Sequence, residues 1–559
     1  MTDEPFRAQV CIVGAGPVGL VLAIDLASRG VSVIVAEKRP RGLPPSVKSN
    51  HVAARTMEIF RRLGIAAAVR DAGLPSDYPN DVAYRTTFTG QELSRIPIPC
   101  RADRYSATGG PDTWWPTPEP PHRINQIFLE PVLLAHALTL PGLTLLDSVE
   151  VDEVAQDASG VVANAKCLAT GRRLDIMADY LAGCDGGRSV VRGAIGARLK
   201  GDASVQRVQS TYFRAPDLIR RQNAARAWAT FSLNPRRCGN TYAIDGRETW
   251  LMHNYLNPGE DDFDSVDRDR CLRTILGVGD DFAYQILSKE DWIGRRLVAN
   301  RFRDRRIFIC GDAAHLWVPM AGYGMNAGIA DAANLSWLLA ARLQGWASES
   351  ILDAYEAERL PITEQVSHFA MNHALALARQ REAVPLAIEE AGADGAAARA
   401  RVGQAAYDLN VAQYCCGGLN FGYFYDHSPI IAYDEQAPPA YTMDRFAQST
   451  VPGCRTPHVW LDDGRSLYDA LGTGFTLLRL DPSVEVGGIA AAATRRGVPL
   501  RLLDVRSADA VYDRKLVLSR PDGHVAWRGD SAPPDALDVI DRIRGAAPGK
   551  AGRQASRAA

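Results

Sequence analysis

The feature that most constrains this chain lies at its start. Val10-Cys11-Ile12-Val13 runs into Gly14-Ala15-Gly16-Pro17-Val18-Gly19, an apolar stretch follows to Ala27, Gly30 ends it, and Val31 to Ala36 closes on Glu37. A strand that is apolar throughout is one buried on both faces of a parallel sheet, so this pattern predicts a β–α–β unit rather than a surface hairpin. The three glycines have separate jobs there: a tight turn at Gly14, close approach of a pyrophosphate at Gly16, and close packing of helix on strand at Gly19. The diphosphate sits on amides at the positive end of the helix, and Glu37 is placed to accept hydrogen bonds from a ribose diol. This unit alone does not separate FAD from NAD.

A second run makes that choice. Ile307-Phe308-Ile309-Cys310 reads as a buried strand presenting Gly311-Asp312, and Gly322, Gly324 and Asn326 open a further helix. An aspartate at a strand end can hold a polyol chain, and a helix start offers amides and partial positive charge to the N1 and C2 carbonyl edge of a flavin. With Asp185-Gly186 between these two runs, the expectation is FAD.

At 559 residues and 46% hydrophobic, two or three domains are expected, with ample core to bury a cofactor. Sixty-three Lys and Arg against 65 Asp and Glu, net −2, give no reason to expect nucleic acid or an acidic membrane surface. The ten cysteines include no CxxC pair and no metal-ligand spacing, so no metal is expected, and free thiols in a reducing cytoplasm are the natural reading. No basic and apolar leader opens the chain and no stretch reaches the roughly 18 to 20 apolar residues of a membrane span, which predicts a cytoplasmic protein.

The text divides into a first FAD-binding part (1–85), an irregular Pro- and aromatic-rich excursion toward a substrate domain (86–121), a second FAD-binding part (122–200), a substrate-binding β-sheet (201–300), a third FAD-binding part with long helices (301–375), a helical linker (376–451), a small α/β domain (452–545) and a disordered tail (546–559).

These motifs, with Arg55-Thr56-Met57-Glu58-Ile59-Phe60, Asn125-Gln126 and Tyr355-Glu356-Ala357-Glu358-Arg359, resemble the single-component, class A FAD aromatic hydroxylases of the p-hydroxybenzoate hydroxylase class. The stretch Pro452-Gly453 to Asp469 resembles the thioredoxin-like domain of the phenol and 2,4-dichlorophenol monooxygenase branch, without a CxxC and hence without a redox role. The resemblance implies a Rossmann-type FAD domain with an inserted β-sheet substrate domain and a C-terminal thioredoxin-like α/β domain. It places FAD contacts at Gly14, Gly16, Pro17, Gly19, Glu37, Lys38, Lys48, Arg55, Gln126, Asp185, Gly186, Gly311, Asp312, Pro319, Gly322, Gly324, Met325 and Asn326. It implies NAD(P)H, NADPH by preference, bound transiently in a surface cleft, O2 captured as a flavin C4a-hydroperoxide, and a small aromatic, phenolic substrate. A homodimer or higher oligomer is left open. The family often carries two prolines and two glycines where this chain reads Val318-Pro319-Met320-Ala321-Gly322, a change expected to alter pocket shape more than chemistry.

Hydroxylation of a phenol benefits from a base. In the phenol branch that role falls at the position of Asn50, which cannot be one, with His51 beside it. His253 and Tyr255 alternate onto one strand face with Leu251, either as pocket lining or as an ordinary mixed sheet, and His315 is read as shaping the Gly-Asp turn. Trp114, Trp115, Tyr423, Phe424 and Tyr425 read first as core and second as the floor of a ring site. The same scaffold suits tailoring of a polyketide, quinone or antibiotic by hydroxylation, epoxidation or Baeyer–Villiger insertion. A partner-binding FAD fold without turnover is disfavoured by the intact Asp312 and Met325-Asn326 pair.

Overall fold

The computed structural model describes residues 5–222, 224–319, 322–506 and 511–546. Met320 and Ala321 of the altered loop, and the tail from 547 on, lie outside the described residues.

The first strand, Phe6–Val13, ends with four buried residues and pairs in parallel with Val33–Glu37 on one side and Arg173–Gly183 on the other. Leu143–Asp147 continues the sheet beyond Val33–Glu37, and Ile307–Ile309 continues it beyond Arg173–Gly183, both in parallel. The motifs Gly14–Gly19, Asp185-Gly186 and Gly311-Asp312 each follow a strand of this one sheet, and pairing of Val13 with Gly183 and of Gly183 with Ile309 brings all three strand ends to one edge. That edge, at the carboxyl ends of parallel strands, is where α/β sheets bind ligands.

A second, mostly antiparallel sheet of nine strands is built around the long strand Leu199–Arg214. Thr249–Tyr255 and Trp292–Ala299 flank it, followed outward from Thr249–Tyr255 by Gly239–Ala243, Ala229–Ser232, Val82–Arg85 and Glu92–Ile96. The excursion expected as irregular therefore contributes a strand, and the sheet also takes Val82–Arg85 from the segment before it. Periodicity in so short a run as Val82–Arg85 shows no partner, because its partner Ala229–Ser232 arrives more than 140 residues later. His315–Trp317 pairs with Trp292–Ala299, so the chain passes from the Gly-Asp turn directly into this second sheet.

The C-terminal unit is a four-stranded sheet in the order Leu500–Asp504, Phe475–Arg479, Leu516–Ser519, Val525–Gly529, with the helices Gly487–Arg496 and Ala536–Ile543 packed together. It is joined to the FAD-binding part by buried ion pairs. Arg520 donates to both oxygens of Glu358 at 2.6 and 2.8 Å, with both side chains fully buried, and Glu358 also accepts from Asn334 and Ser428. Arg455 reaches Glu58 in the same way. Removing one member of such a pair strands its partner in a low-dielectric interior and costs about 3–5 kcal/mol. Glu358→Ala is therefore expected to lower unfolding stability by about 3 kcal/mol or more, read from denaturant unfolding followed by tryptophan fluorescence.

Candidate functional site

At the first glycine turn each glycine is held by a different constraint. Gly14 has φ +103°, and a Cβ there would sit 2.4 Å from the Cys184 carbonyl oxygen. A Cβ on Gly19 would lie 2.0 Å from the Gly14 carbonyl oxygen, so helix and turn meet only because both residues lack a side chain. Gly16 is the opposite case: nothing lies within 4 Å of where its Cβ would be. The space in front of Gly16, at the start of the helix Pro17–Ser28, is open for a diphosphate. Gly186, at φ +80°, likewise faces open space.

Glu37 stands beside the Gly14–Gly19 turn. Its carboxylate accepts from the Ala15 amide at 2.6 Å and from the Arg39 amide at 2.8 Å, and Arg39 in turn bridges to Glu130. Gln126, the first residue of the helix Gln126–Ala137, donates from its side chain to Glu130, and its own amide is held by the Ser49 carbonyl at 2.8 Å. Asp185 accepts from the Val190 and Val191 amides with one oxygen, while its Oδ1 is buried without a partner. Lys38 is exposed beside Glu37, and Lys48 is spent on Glu290, which also accepts from Ser46.

Asp331 organises the Gly-Asp turn from behind. Its carboxylate accepts from the Gly311 amide at 3.2 Å, His315 Nε2 at 2.7 Å and Arg359 Nε at 2.8 Å. Burial pushes this carboxyl up, but the Arg359 guanidinium and His315 outweigh it and hold its pKa below the usual range. With the turn fixed, the Asp312 side chain opens outward, and the helix Tyr323–Leu343 begins at Gly322 with φ +61°. Asn326 closes that helix start: its Oδ1 accepts from the Ala53 amide at 2.8 Å, and its Nδ2 donates to the carbonyls of His51 and Gly322. Its side chain is a clasp between loops, so what this end of the helix offers a ligand is the first-turn backbone at Gly324 and Met325. Pro319 lies exposed on the loop before it. An open diphosphate cradle, an acceptor for a ribose, an unpartnered Asp185 oxygen, an outward Asp312 and a free helix start fit the parts of FAD.

An FAD-binding domain family model matches residues 7–370, and an aromatic-ring hydroxylase C-terminal domain model matches 449–547. The chain belongs to the class A FAD-dependent aromatic-ring hydroxylases. It is 31% identical over 97% of its length to tetracenomycin B2 monooxygenase-dioxygenase of Streptomyces olivaceus, covering 98% of that protein. It is 29% identical over 95% of its length to phenol 2-monooxygenase of a Pseudomonas species, covering 92% of it. Among solved structures, RebC soaked with chromopyrrolic acid, with bound 7-carboxy-K252c, superposes with TM-score 0.86 at 32% identity over 97% of this chain and all of that one. This hydroxylase family member is thus an FAD-dependent monooxygenase.

Arg55, placed by resemblance among the FAD contacts, is directed elsewhere. Its guanidinium pairs with Glu58 at 2.8 Å and donates to the Asp522 carbonyl, so it faces the C-terminal domain in a cavity with Tyr423, Tyr425 and His524. Those tyrosines belong to that boundary, and Trp114 stacks on Trp115 at 5.0 Å and is largely exposed, so neither group floors a ring site on the second sheet.

The aromatic face sits instead on the second sheet. Register pairing puts Asn240 opposite His253 and Tyr242 opposite Leu251, so His253 and Tyr255 share a face with Tyr242, as alternation requires. Tyr242, His253 and Trp292 form a row with ring centroids 5.5 and 5.8 Å apart, and all three are partly exposed. Val318 of the loop before Gly322 fills the space above Gly294, two residues from Trp292 on the same face, so the row lies beside the cofactor-facing loop. Tyr255 accepts from Asn240 at 2.7 Å and lies under Arg381, which fixes it in place.

Asn50 accepts from the Asn125 side chain and clips its loop to the start of the helix at Gln126. His51 Nδ1 faces Arg123 Nη1; arginine has no lone pair to offer, so Nδ1 is the acceptor and the imidazole proton sits on Nε2. In that tautomer His51 presents a donor, and burial beside Arg123 keeps its pKa well below 6.5, so it is no base here. Arg123 itself is a residue that the sequence reading passed over; its one signal was its place three residues before Gln126.

Gly16→Ala is expected to fold and lose FAD, since the added methyl meets no protein atom but stands in the diphosphate approach. Gly19→Ala is expected to destabilise the apoprotein as well. The 450 nm to 280 nm absorbance ratio and the unfolding temperature of each variant check this. Two histidines in low-dielectric surroundings set an acid limit. Burial pushes His122 to about 3 and His253 to about 4. Their unfolded forms bind protons from about pH 6.5 downward and the folded forms do not, so stability is full above pH 6.5 and is lost as pH falls through that range. Unfolding temperature measured from pH 8 to 4.5 is expected to stay flat to about 6.5 and then decline.

Proposed function

We propose that this protein is an NAD(P)H-dependent FAD monooxygenase of the cytoplasm that uses O2 to hydroxylate a phenolic aromatic substrate. The observation that carries the reading is the placement of the Tyr242, His253 and Trp292 row beside the loop that leads to the flavin-edge helix. Bound FAD supplies hydride acceptance and O2 activation, and the chain's own residues hold and orient the ring and keep water away. Asp312 and Asp185 would hold the ribityl chain and ribose, and the amides at Gly324 and Met325 would favour negative charge on the reduced isoalloxazine edge.

Tailoring of a fused polycyclic product, such as a polyketide or quinone, is the second reading, and one feature favours it. The position at which the phenol branch keeps its base carries Asn50, tied to Asn125, and the neighbouring His51 is a neutral donor. A substrate that arrives already acidic or electron-rich needs no protein base to raise ring electron density.

Oxygen uptake and NADPH oxidation, measured with purified yellow protein against single-ring phenols and fused polycyclic phenols, test both readings. A product heavier by one oxygen atom supports them, and the absence of ring-stimulated uptake with every compound would sink them. His253→Ala is expected to keep its flavin and raise KM about tenfold for the best substrate with kcat little changed, because the ring is lost from recognition rather than from the oxidant.

A further inference from the structure

Arg123 is a cation without an anion. It is 3% exposed, and among the described residues it reaches no carboxylate. Every other buried arginine among the described residues does, as Arg104 reaches Asp112, Arg359 Asp331, Arg455 Glu58 and Arg520 Glu358, and the same holds for Arg70, Arg85, Arg237 and Arg528. The nearby acid Asp112 is consumed by Arg104 and by the Trp115 indole N–H at 2.8 Å. What Arg123 has is one neutral imidazole, His51, on Nη1, and two ring faces, Trp228 at 4.7 Å and Tyr414 at 5.7 Å from the guanidinium carbon. Ring faces and a neutral imidazole stabilise a guanidinium far less than a carboxylate does, so an unpaired charge at this depth is expensive.

Its position gives that charge a use. His51 lies between Arg123 and the flavin-edge loop: its carbonyl accepts from Asn326, and its Cβ and ring occupy the space beside Gly322. On its other side, Trp228 meets Tyr242 at 5.3 Å, and Tyr242 begins the row that continues to His253 and Trp292. Arg123 therefore stands at the corner where the flavin-edge loop and the aromatic face meet, with Nε and Nη2 uncommitted to any hydrogen bond among the described residues. The Trp228 and Tyr414 faces keep the planar fork from turning away, which suits bidentate recognition of a flat anion.

We propose that Arg123 is the anchor for a ring carboxylate on the aromatic substrate, so that the substrate class is aromatic acids rather than neutral phenols. This rests on the substrate site proposed above. The pair is completed only when substrate is bound, and His51 holds the guanidinium in place as a positioning residue.

The test is direct binding to the FAD-loaded protein, read from the perturbation of the flavin absorbance, with 3-hydroxy-2-naphthoate and its methyl ester as probes and 2-naphthol as the neutral ring. Wild type is expected to bind the acid at least about tenfold more tightly than the ester, as loss of a charge-assisted bidentate contact dictates. Arg123→Met is expected to abolish that preference while leaving ester affinity, flavin content and unfolding temperature near wild type, and Arg123→Lys to keep part of it. If Arg123→Met does not fold, the wild-type ratio and the lysine variant still decide. Equal wild-type affinities for acid and ester, no binding of the acid at millimolar concentration, or a preference unchanged in Arg123→Met would each overturn the proposal. With 2-naphthol tracking the ester, the anion and not the phenol is what is read. Because no turnover is measured, acid-selective binding without oxygen uptake would leave the anchor standing and count only against the monooxygenase reading.

Discussion

The carboxylate of Asp331 is the point on which the cofactor side of this protein turns. It accepts at once from the amide that starts the Gly-Asp turn, from the imidazole four residues beyond it, and from a guanidinium on the long helix Asp353–Glu382. A buried carboxylate is tolerated only when its lone pairs are filled, and here filling them also fixes geometry. Gly311 is held with φ +58°, so Asp312 projects away from the core, and His315 is stacked on Trp317 at 4.5 Å, which starts the strand that enters the second sheet. The outward Asp312 and the second sheet thus share one mechanical origin.

The same economy governs the C-terminal domain. It carries no CxxC pair, and what it contributes are arginines and backbone that complete buried charged groups of the FAD-binding part: Arg455 on Glu58, Arg520 on Glu358, and the Asp522 carbonyl accepting from Arg55. Acids and arginines that satisfy each other across a boundary make the boundary specific but expensive to open. Arg123 departs from that rule, and in a protein that otherwise pairs its buried arginines with such regularity, the exception marks the place where something from outside is to be bound.

Motifs read from the sequence succeeded where the determinant is local. The Gly14–Gly19 turn, the Asp185-Gly186 pair and the Gly311-Asp312 turn each follow a strand, and their backbone demands are written in adjacent residues. Arg55 shows the limit of carrying a residue over by resemblance: a side chain on a helix can face either of two neighbours, and which one depends on a carbonyl at residue 522. Val82–Arg85 shows another limit, since four buried residues do not reveal a partner strand so far along the chain. Asn326 lies between these cases, placed by its motif beside the helix start and employed there, through its side-chain amide, as a clasp on His51 and Ala53.

The sequence by itself determined the cofactor class, because dinucleotide and flavin recognition are done by backbone at glycine turns and helix starts, and those need particular residues at fixed short spacings. The tertiary structure alone decided the proposed substrate face. Tyr242, His253, Trp292, Trp228 and Arg123 come from separate strands and loops with no spacing in common, and they become a site only when antiparallel register and the flavin-edge loop bring them together. That an arginine there reaches no acid among the described residues can be known only from their placement in space.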